Sequence, residues 1–531
     1  SAILNFIVLK HERENLLSFT SDVNDSNTQE SLFKKSAEGV SGHGCSYMPR
    51  VSQAKGWRNK EMFAQIDKII TAIDNAVWGL PLICLIMATG IFLTARLGLV
   101  QIRHLGKAFK FMFKDEEDGS GEVTSFGALC TALSATIGTG NITGVATAIA
   151  LGGPGALFWM VIAAFFGMAT KYAEGLLAIK YRTIDEEGHV LGGPFYYIEN
   201  GMGKKWIWLA KIFAFFGAGV GLFGIGTFTQ VNSIASAVKN FFDPDMAHTI
   251  SLFGGNYSWA TVIAGLFLTV CVGLVVLGGI QRIAKVSEVI VPFMAVLYVG
   301  LAVIIIITNI TAVPAALASI VKSAFTGSAL AGGAVGSVFV AMQKGVARGI
   351  FSNESGLGSA PIAAAAARTK EPVRQGLVSM TGTFIDTIVI CTMTGLSIVI
   401  AGSWLNPELE GVAITMDAFQ KGLPFPSFVA TFSLMLCLVF FAFTTILGWN
   451  YYGERCVEYL FNRNKGVVMG YRILYILAVF IGPYMTVKAV WNIADIFNAL
   501  MAFPNLIALL ALNGVIVKET RDFHAKHNGS Y

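Results

Sequence analysis

Charge is what this chain has little of. Asp, Glu, Lys and Arg make up 13% of its 531 residues, whereas 54% are hydrophobic and the mean hydropathy is +0.63. A soluble fold would have to bury far more apolar surface than such domains usually do. The seven cysteines, at 45, 84, 130, 271, 391, 437 and 456, include no CxxC pair and mostly lie inside apolar segments, where a thiol behaves as a small hydrophobe. That implies neither a disulfide framework nor a metal site. All seven histidines, at 11, 43, 104, 189, 248, 524 and 527, fall outside the apolar segments, and neither HExxH nor a Walker A loop is present. Intramembrane acid-base catalysis therefore has no obvious histidine, and neither an enzyme nor an organic cofactor is expected. A net charge of +5 could suggest a nucleic-acid partner. The basic residues instead sit in short connections between apolar runs, which points to the lipid bilayer as the partner.

What the chain has in quantity is apolar runs of about 20 residues or more, each long enough to cross a bilayer as a helix. They fall near 76–95, 126–151, 155–179, 207–238, 259–280, 286–308, 332–367, 377–401, 427–451, 468–487 and 491–517. This is the pattern of an all-α polytopic membrane protein with eleven spans. Residues 1–61 are polar, mixed in charge and without the basic start and apolar core of a signal peptide. They are expected to form a poorly ordered tail, or sequence upstream of a start at Met62. Residues 62–518 form the expected membrane domain, and 519–531 a cytoplasmic tail. Within the third span, Lys171 and Glu174 stand at i,i+3, where they can neutralise each other.

Lys and Arg divide unevenly between alternate connections, 21 on one side against 4 on the other. The richer side is expected to be cytoplasmic, which with eleven spans puts the amino terminus outside and the carboxyl terminus inside. Two spans carry helix-hostile runs. One is Ser134 to Gly144, SATIGTGNITG, and the other Gly349 to Pro361, GIFSNESGLGSAP. Gly140 and Asn353 are 213 positions, or five spans, apart. With the first span set aside, ten remain as five plus five, each set opening with a broken helix. An odd repeat inverts the second copy, the arrangement of inverted-repeat secondary transporters with a midplane binding site.

In the first break, unwinding around Gly138 to Asn141 would leave free amides and about half a positive charge at the start of the following half-helix. A carboxylate would bind there. Gly140 admits close backbone approach, and Thr139 and Asn141 add oxygens; Gly140 and Gly144 also satisfy the GxxxG spacing of a packing face. The second break gathers Ser352, Asn353, Glu354 and Ser355 inside a span, because Ala360 to Ala367 resumes an apolar helix before the basic RTKEPVRQ segment. In the ninth span, the adjacent pair Thr444 and Thr445 could bond back to their own helix carbonyls. Alternatively, with carbonyls of an unwound neighbour, they could supply hard oxygens for sodium. Trp449 and Asn450 follow as a pocket wall or interfacial anchors.

GTGNITG (Gly138 to Gly144), LGGPFYY (Leu191 to Tyr197), FSNESGLGSAPI (Phe351 to Ile362) and FTTILGWNYYGE (Phe443 to Glu454) together resemble the alanine/glycine:cation symporters of bacteria and archaea, from about Met62 to Lys518. The resemblance implies the amino acid, polyamine and organocation transporter fold, a leucine-transporter-like core of ten helices with one added before it. It also implies sodium-coupled uptake of alanine or glycine across a prokaryotic plasma membrane. Carried over by motif, it assigns the substrate to Thr139, Gly140, Asn141, Phe351, Ser352 and Asn353, with Gln230 and Trp449 as additions. It assigns sodium to Thr444 and Thr445 with carbonyls near Thr136 and Ile137. Proton coupling is the rival, and it would use a buried carboxylate such as Asp386 or Glu354. A channel would need charge rings or a carbonyl filter, which this sequence does not show.

Overall fold

Backbone amides in lipid can be satisfied only inside a helix or a closed barrel, and among the described residues the apolar runs are helical apart from short interruptions. The structure, a computed structural model, describes residues 73, 77–114, 116, 119–186, 188–252, 255–326, 334–485 and 487–527. The expected tail of 1–61, the start at Met62 and the beginning of the seventh span lie outside the described residues.

Numbering the longer helices in chain order, α1 is Leu80–Arg96, followed by the interrupted pair α2 (Ser125–Thr136) and α3 (Val145–Gly152) and by α4 (Gly155–Lys180). The hairpin β1 (Thr183–Ile184) and β2 (Val190–Leu191) leads to α5 (Ile207–Phe223) and α6 (Phe228–Phe242). A second hairpin, β3 (Thr249–Leu252) and β4 (Gly255–Ser258), precedes α7 (Trp259–Val276), α8 (Gly279–Thr308) and α9 (Val313–Thr326). The second half runs α10 (Ala334–Asn353), α11 (Ala360–Ala364), α12 (Pro372–Thr383), α13 (Thr392–Ala401), α14 (Val412–Gly422), α15 (Ser427–Leu460), α16 (Lys465–Ile481), α17 (Val487–Ala511) and α18 (Asn513–His527). Among the described residues, eight helical stretches, with α5 and α6 counted as one and α12 and α13 as another, are long and apolar enough to cross a membrane. Of the other three expected spans, the second and seventh are interrupted and the first is the shorter α1.

Three features depart from the sequence expectation. The fourth span is broken at Gly224 to Thr227, between α5 and α6, in a glycine-rich stretch whose composition alone did not mark a turn. Two further helices, α9 and α14, lie in connections between spans. The helix resumed after the second break ends at Ala364 and not at Ala367, because Ala366 and Ala367 pair instead with the strand-like segment before α2. There Glu122 and Val123 donate to Ala366 O at 2.9 and 3.2 Å, and Arg368 donates to Val123 O at 2.8 Å.

Small residues set how closely the helices approach. A Cβ at Gly345 of α10 would lie 2.2 Å from Ala156 O of α4, and one at Gly448 of α15 2.7 Å from Ala135 of α2, the close approach that membrane helices use in place of a hydrophobic driving force. The connections richest in Lys and Arg meet on one face of the molecule. Arg182 reaches the carbonyls of Ala367 at 2.7 Å and Ser120 at 2.6 Å, and also those of Ala365 and Thr369. It thereby ties the hairpin to both broken helices. Beside it, Arg455 at the end of α15 pairs with Glu122 at 3.2 Å and Glu458 at 2.8 Å.

Candidate functional site

The first break begins where Ile137 leaves the helix with an extended backbone (ψ 96°). The chain re-enters through a wide helical turn over Gly140–Gly144 before α3. The amides freed by the break are taken by side chains. Asn141 Oδ1 accepts from Gly138 N at 2.9 Å, and Gln230 Oε1 of α6 accepts from Thr139 N at 3.2 Å. Gln230 is itself held, its Nε2 donating to Ile225 O at 3.1 Å in the turn between α5 and α6. The third break, which no local pattern in the sequence marks, therefore places the residue that caps the first.

The second break follows Asn353. Glu354 adopts φ +57°, and Gly356 and Gly358 adopt +87° and +80°. A non-glycine residue in this left-handed region costs about 1–2 kcal/mol, so its side chain needs a reason to be there. Its carboxylate accepts from Trp449 Nε1 at 2.9 Å and from Ser359 Oγ at 2.5 Å.

The two breaks meet at Gly140, where an added Cβ would fall 3.2 Å from Ser352 Cα and 3.4 Å from the Phe351 ring. They are joined more firmly through Asp386, on the wide turn Phe384–Cys391 between α12 and α13. Asn141 Nδ2 donates to its Oδ1 at 2.6 Å, while Ser352 Oγ and Thr387 Oγ1 donate to its Oδ2 at 2.9 and 2.7 Å. Asn353 Nδ2 in turn donates to Thr387 Oγ1 at 3.1 Å. Asp386 figured in the sequence only as a carrier for the rival ion. As a lone acid in an apolar span, it carried the signal of a buried functional group, but no one-dimensional pattern tells that it bridges two distant breaks.

The threonine pair divides. Thr445 Oγ1 lies 3.2 Å from Ile137 O and 2.9 Å from Phe441 O, so its single proton serves one carbonyl and its oxygen faces the break. A Cβ at Gly138 would come within 2.5 Å of that oxygen; only glycine fits. Thr444 Oγ1 turns to Phe440 O and Phe441 O of its own helix, at 3.1 and 3.0 Å, and to Met294 Sδ, the back-bonding habit of threonine in helices. Thr136 Oγ1 likewise bonds Ala132 O. Of the residues expected around sodium, Ile137 and Thr445 converge through an oxygen each, and Thr444 is directed elsewhere.

Both faces of the site are covered. Thr415 of α14 donates to Ile142 O at 3.2 Å on one side, and Trp449, fully buried, lies on the side of Arg455. Thr139, Asn141, Gln230, Phe351, Ser352 and Asn353 are all 2% exposed or less, an occluded arrangement. The expected Lys171–Glu174 contact is not a hydrogen bond. Glu174 Oε1 accepts from Gly356 N at 3.1 Å and Asn505 Nδ2 at 2.7 Å. The Lys171 amine finds no hydrogen-bond partner among the described residues, although it lies within electrostatic reach of Glu174, Glu354 and Asp386. It borders a cavity of about 20 Å³ with Thr136, Asn353, Gln375 and Ser379, room for about one water molecule.

Residues 63–530 match the model of the sodium:alanine symporter family. This chain belongs to that family. It is 48% identical over 466 residues to the sodium/alanine symporter AgcS of Methanococcus maripaludis, covering 86% of this chain and 97% of the relative. It is 55% identical over 459 residues to an uncharacterised transporter of Haemophilus influenzae, covering 86% and 96%. The amino-acid carrier protein AlsT of Bacillus subtilis is 35% identical over 460 residues, covering 86% and 92%. Among solved structures, MhsT in complex with L-phenylalanine matches with a TM-score of 0.55 at 14% identity, covering 76% of this symporter and 93% of that chain. That likeness speaks to the fold, a leucine-transporter-like one, and the family is one of membrane transporters.

Proposed function

We propose that this symporter carries alanine or glycine into the cell together with sodium, by alternating access of an eleven-span, five-plus-five inverted repeat around the paired breaks. The observation that carries the reading is the convergence of the Thr445 hydroxyl and the Ile137 carbonyl beside Gly138, one residue from the amide of Thr139. There, an ion and a substrate carboxylate would be neighbours. Sodium, as cargo, would take these two oxygens; the substrate would take Thr139, Gly140, Asn141, Phe351, Ser352 and Asn353, with Gln230 moving off the Thr139 amide. The names of the archaeal relative and of the family support sodium and alanine. The uneven distribution of Lys and Arg supports a plasma-membrane orientation with the amino end outside and the carboxyl end cytoplasmic.

The driving force suffices. One sodium accompanying a neutral zwitterion yields roughly 2.3 kcal/mol at about 100 mV, and a tenfold sodium gradient adds about 1.4 kcal/mol. Proton coupling is the second reading, favoured by the fully buried Asp386 between the breaks. Uptake of labelled alanine into proteoliposomes under an imposed sodium gradient, against an imposed proton gradient, separates the two. Uptake that follows protons and ignores sodium removes the lead.

A further inference from the structure

We propose that Glu354 is a positioning residue of the transport cycle, an inner latch that holds the Trp449 indole, and with it the helix carrying Thr445, against the second break. The inference rests on the transport function proposed above and names a residue of that site to which the alanine and sodium assignments give no role. Four observations carry it. Glu354 and Trp449 are both fully buried, and their bond of 2.9 Å joins two elements 95 residues apart. The second carboxylate oxygen is engaged by Ser359 at 2.5 Å, so the side chain is held at both ends of its own loop. Glu354 keeps a left-handed backbone in a loop that uses glycine for the same purpose two and four residues later. Local conformation alone would favour glycine at that position, so it is the carboxylate that the position retains. Finally, Trp449 is closely packed at both its backbone end and its ring. Its Cβ lies 2.6 Å from where a Cβ at Gly226 would be, and its ring packs edge-on to Tyr452 at 5.3 Å.

The placement gives the bond its function. Trp449 lies one helical turn beyond Thr445, toward Arg455, and Glu354 lies one residue beyond Asn353, toward the Arg182 clasp. The bond thus spans the face of the site that looks toward the Lys- and Arg-rich side. With the bond in place the two elements are closed against each other on that side; its opening would let a substrate leave, and its re-forming would retain one. A glutamine keeps the indole bond through its Oε1, and its Nε2 can donate to the Ser359 hydroxyl, which accepts as readily as it donates. The latch therefore needs an acceptor and not a charge.

The experiment uses Glu354→Ala, Glu354→Gln and Trp449→Phe in purified full-length protein whose sole remaining cysteine is Cys391. That thiol lies 3.3 Å from Ser352 Oγ and 3.4 Å from Asn141 Nδ2, and so reports on opening of the site. Two rates are read: release of bound labelled alanine, and alkylation of Cys391 by a small thiol reagent. Glu354→Ala and Trp449→Phe are expected to raise both by about tenfold or more, the worth of a buried hydrogen bond to a charged group. Glu354→Gln is expected to stay near the parent in both and to keep cation-driven uptake. Unchanged release and alkylation in folded Trp449→Phe, which keeps the ring and loses only the N–H, overturns the latch even where Glu354→Ala does not fold. Glu354→Gln that loses cation-driven uptake while retaining the parental release rate also overturns it, because the carboxylate would then serve the ion. Both rates are read without an ion gradient, so a parent chain whose uptake ignores sodium bears on the coupling and not on the latch.

Discussion

The two breaks do similar work with opposite materials. The first is made by absence: Gly138 and Gly140 carry no side chain, the turn is opened in width, and the amides it frees are covered by borrowed oxygens from Asn141 and Gln230. The second is made by presence. Ser352, Asn353 and Glu354 each send a side chain to a different partner, namely Asp386, Thr387 and Trp449. A break built of glycine leaves its backbone available to a ligand once the borrowed oxygens withdraw. A break built of hydrogen-bonded side chains is held to its surroundings and transmits what happens to it. The first is thus suited to receive a carboxylate and an ion, and the second to link occupancy to the rest of the molecule.

Sharp tests of this contrast begin with the glycines. Gly138→Val puts carbon where the Thr445 oxygen stands, 2.5 Å from the first added atom. It should abolish sodium and alanine binding, measured by calorimetry, with the melting temperature lowered but a cooperative transition retained. Gly140→Val, which meets Ser352 at 3.2 Å, should do the same for alanine. Binding near the parental level in both would show that the first break is a packing face.

Next in size is Asn353→Ala, which removes the partner of Thr387 and the acceptor of Ser355 N. Weakening of alanine affinity by about tenfold or more is expected, the cost of a buried polar contact being about 1.5–3 kcal/mol when a charged group is involved. Calorimetry that finds the affinity unchanged removes Asn353 from the site. A smaller and more selective effect is expected at the threonine pair. Thr445→Ala should raise the sodium concentration for half-maximal uptake several-fold, with alanine affinity at saturating sodium changed much less. Thr444→Ala should do neither, since its hydroxyl is spent on its own helix. Linkage further requires sodium and alanine to tighten one another by the same factor. Equal shifts in the two mutants would mean that the helix turns in the sodium-bound state.

The smallest effect belongs to the polar face that ties the breaks together. His189 lies between Glu122 and Glu458, and hydrogen bonds to these two carboxylates, Glu122 first, raise its pKa to about 9. The folded value lies above the unfolded one. The contribution is therefore fully present below about pH 6.5, the ordinary histidine value, and is lost as pH rises through about 9. His189→Gln should lower the melting temperature in detergent at neutral pH by a few degrees at most, and the difference from the parent should shrink as the pH is raised toward about 10. A difference that grows with pH would contradict the assignment of the proton to His189.

Much of this molecule could be read in one dimension, and for identifiable reasons. The apolar runs announce spans because lipid tolerates little else, and two of the breaks announce themselves because Gly, Ser and Asn are out of place within such runs. The break at Gly224 to Thr227 is not legible in the sequence because glycine is common in membrane helices as a packing residue, and nothing local separates that use from a turn. The threonine pair could be nominated but not divided, since neighbours on a helix point about 100° apart and only the position of Ile137 decides which of them faces the break.

The sequence alone determined that the chain crosses a membrane, that two of its helices are interrupted inside it, and which residues stand at the interruptions. These are properties of local composition and of hydrophobic length, and they require no knowledge of neighbours. Tertiary structure alone decided that Gln230 covers the Thr139 amide, that Asp386 joins Asn141 to Ser352, and that Glu354 meets Trp449. Each of these contacts closes over tens to hundreds of residues, and its partner is chosen by the packing of whole helices against one another rather than by any pattern along the chain.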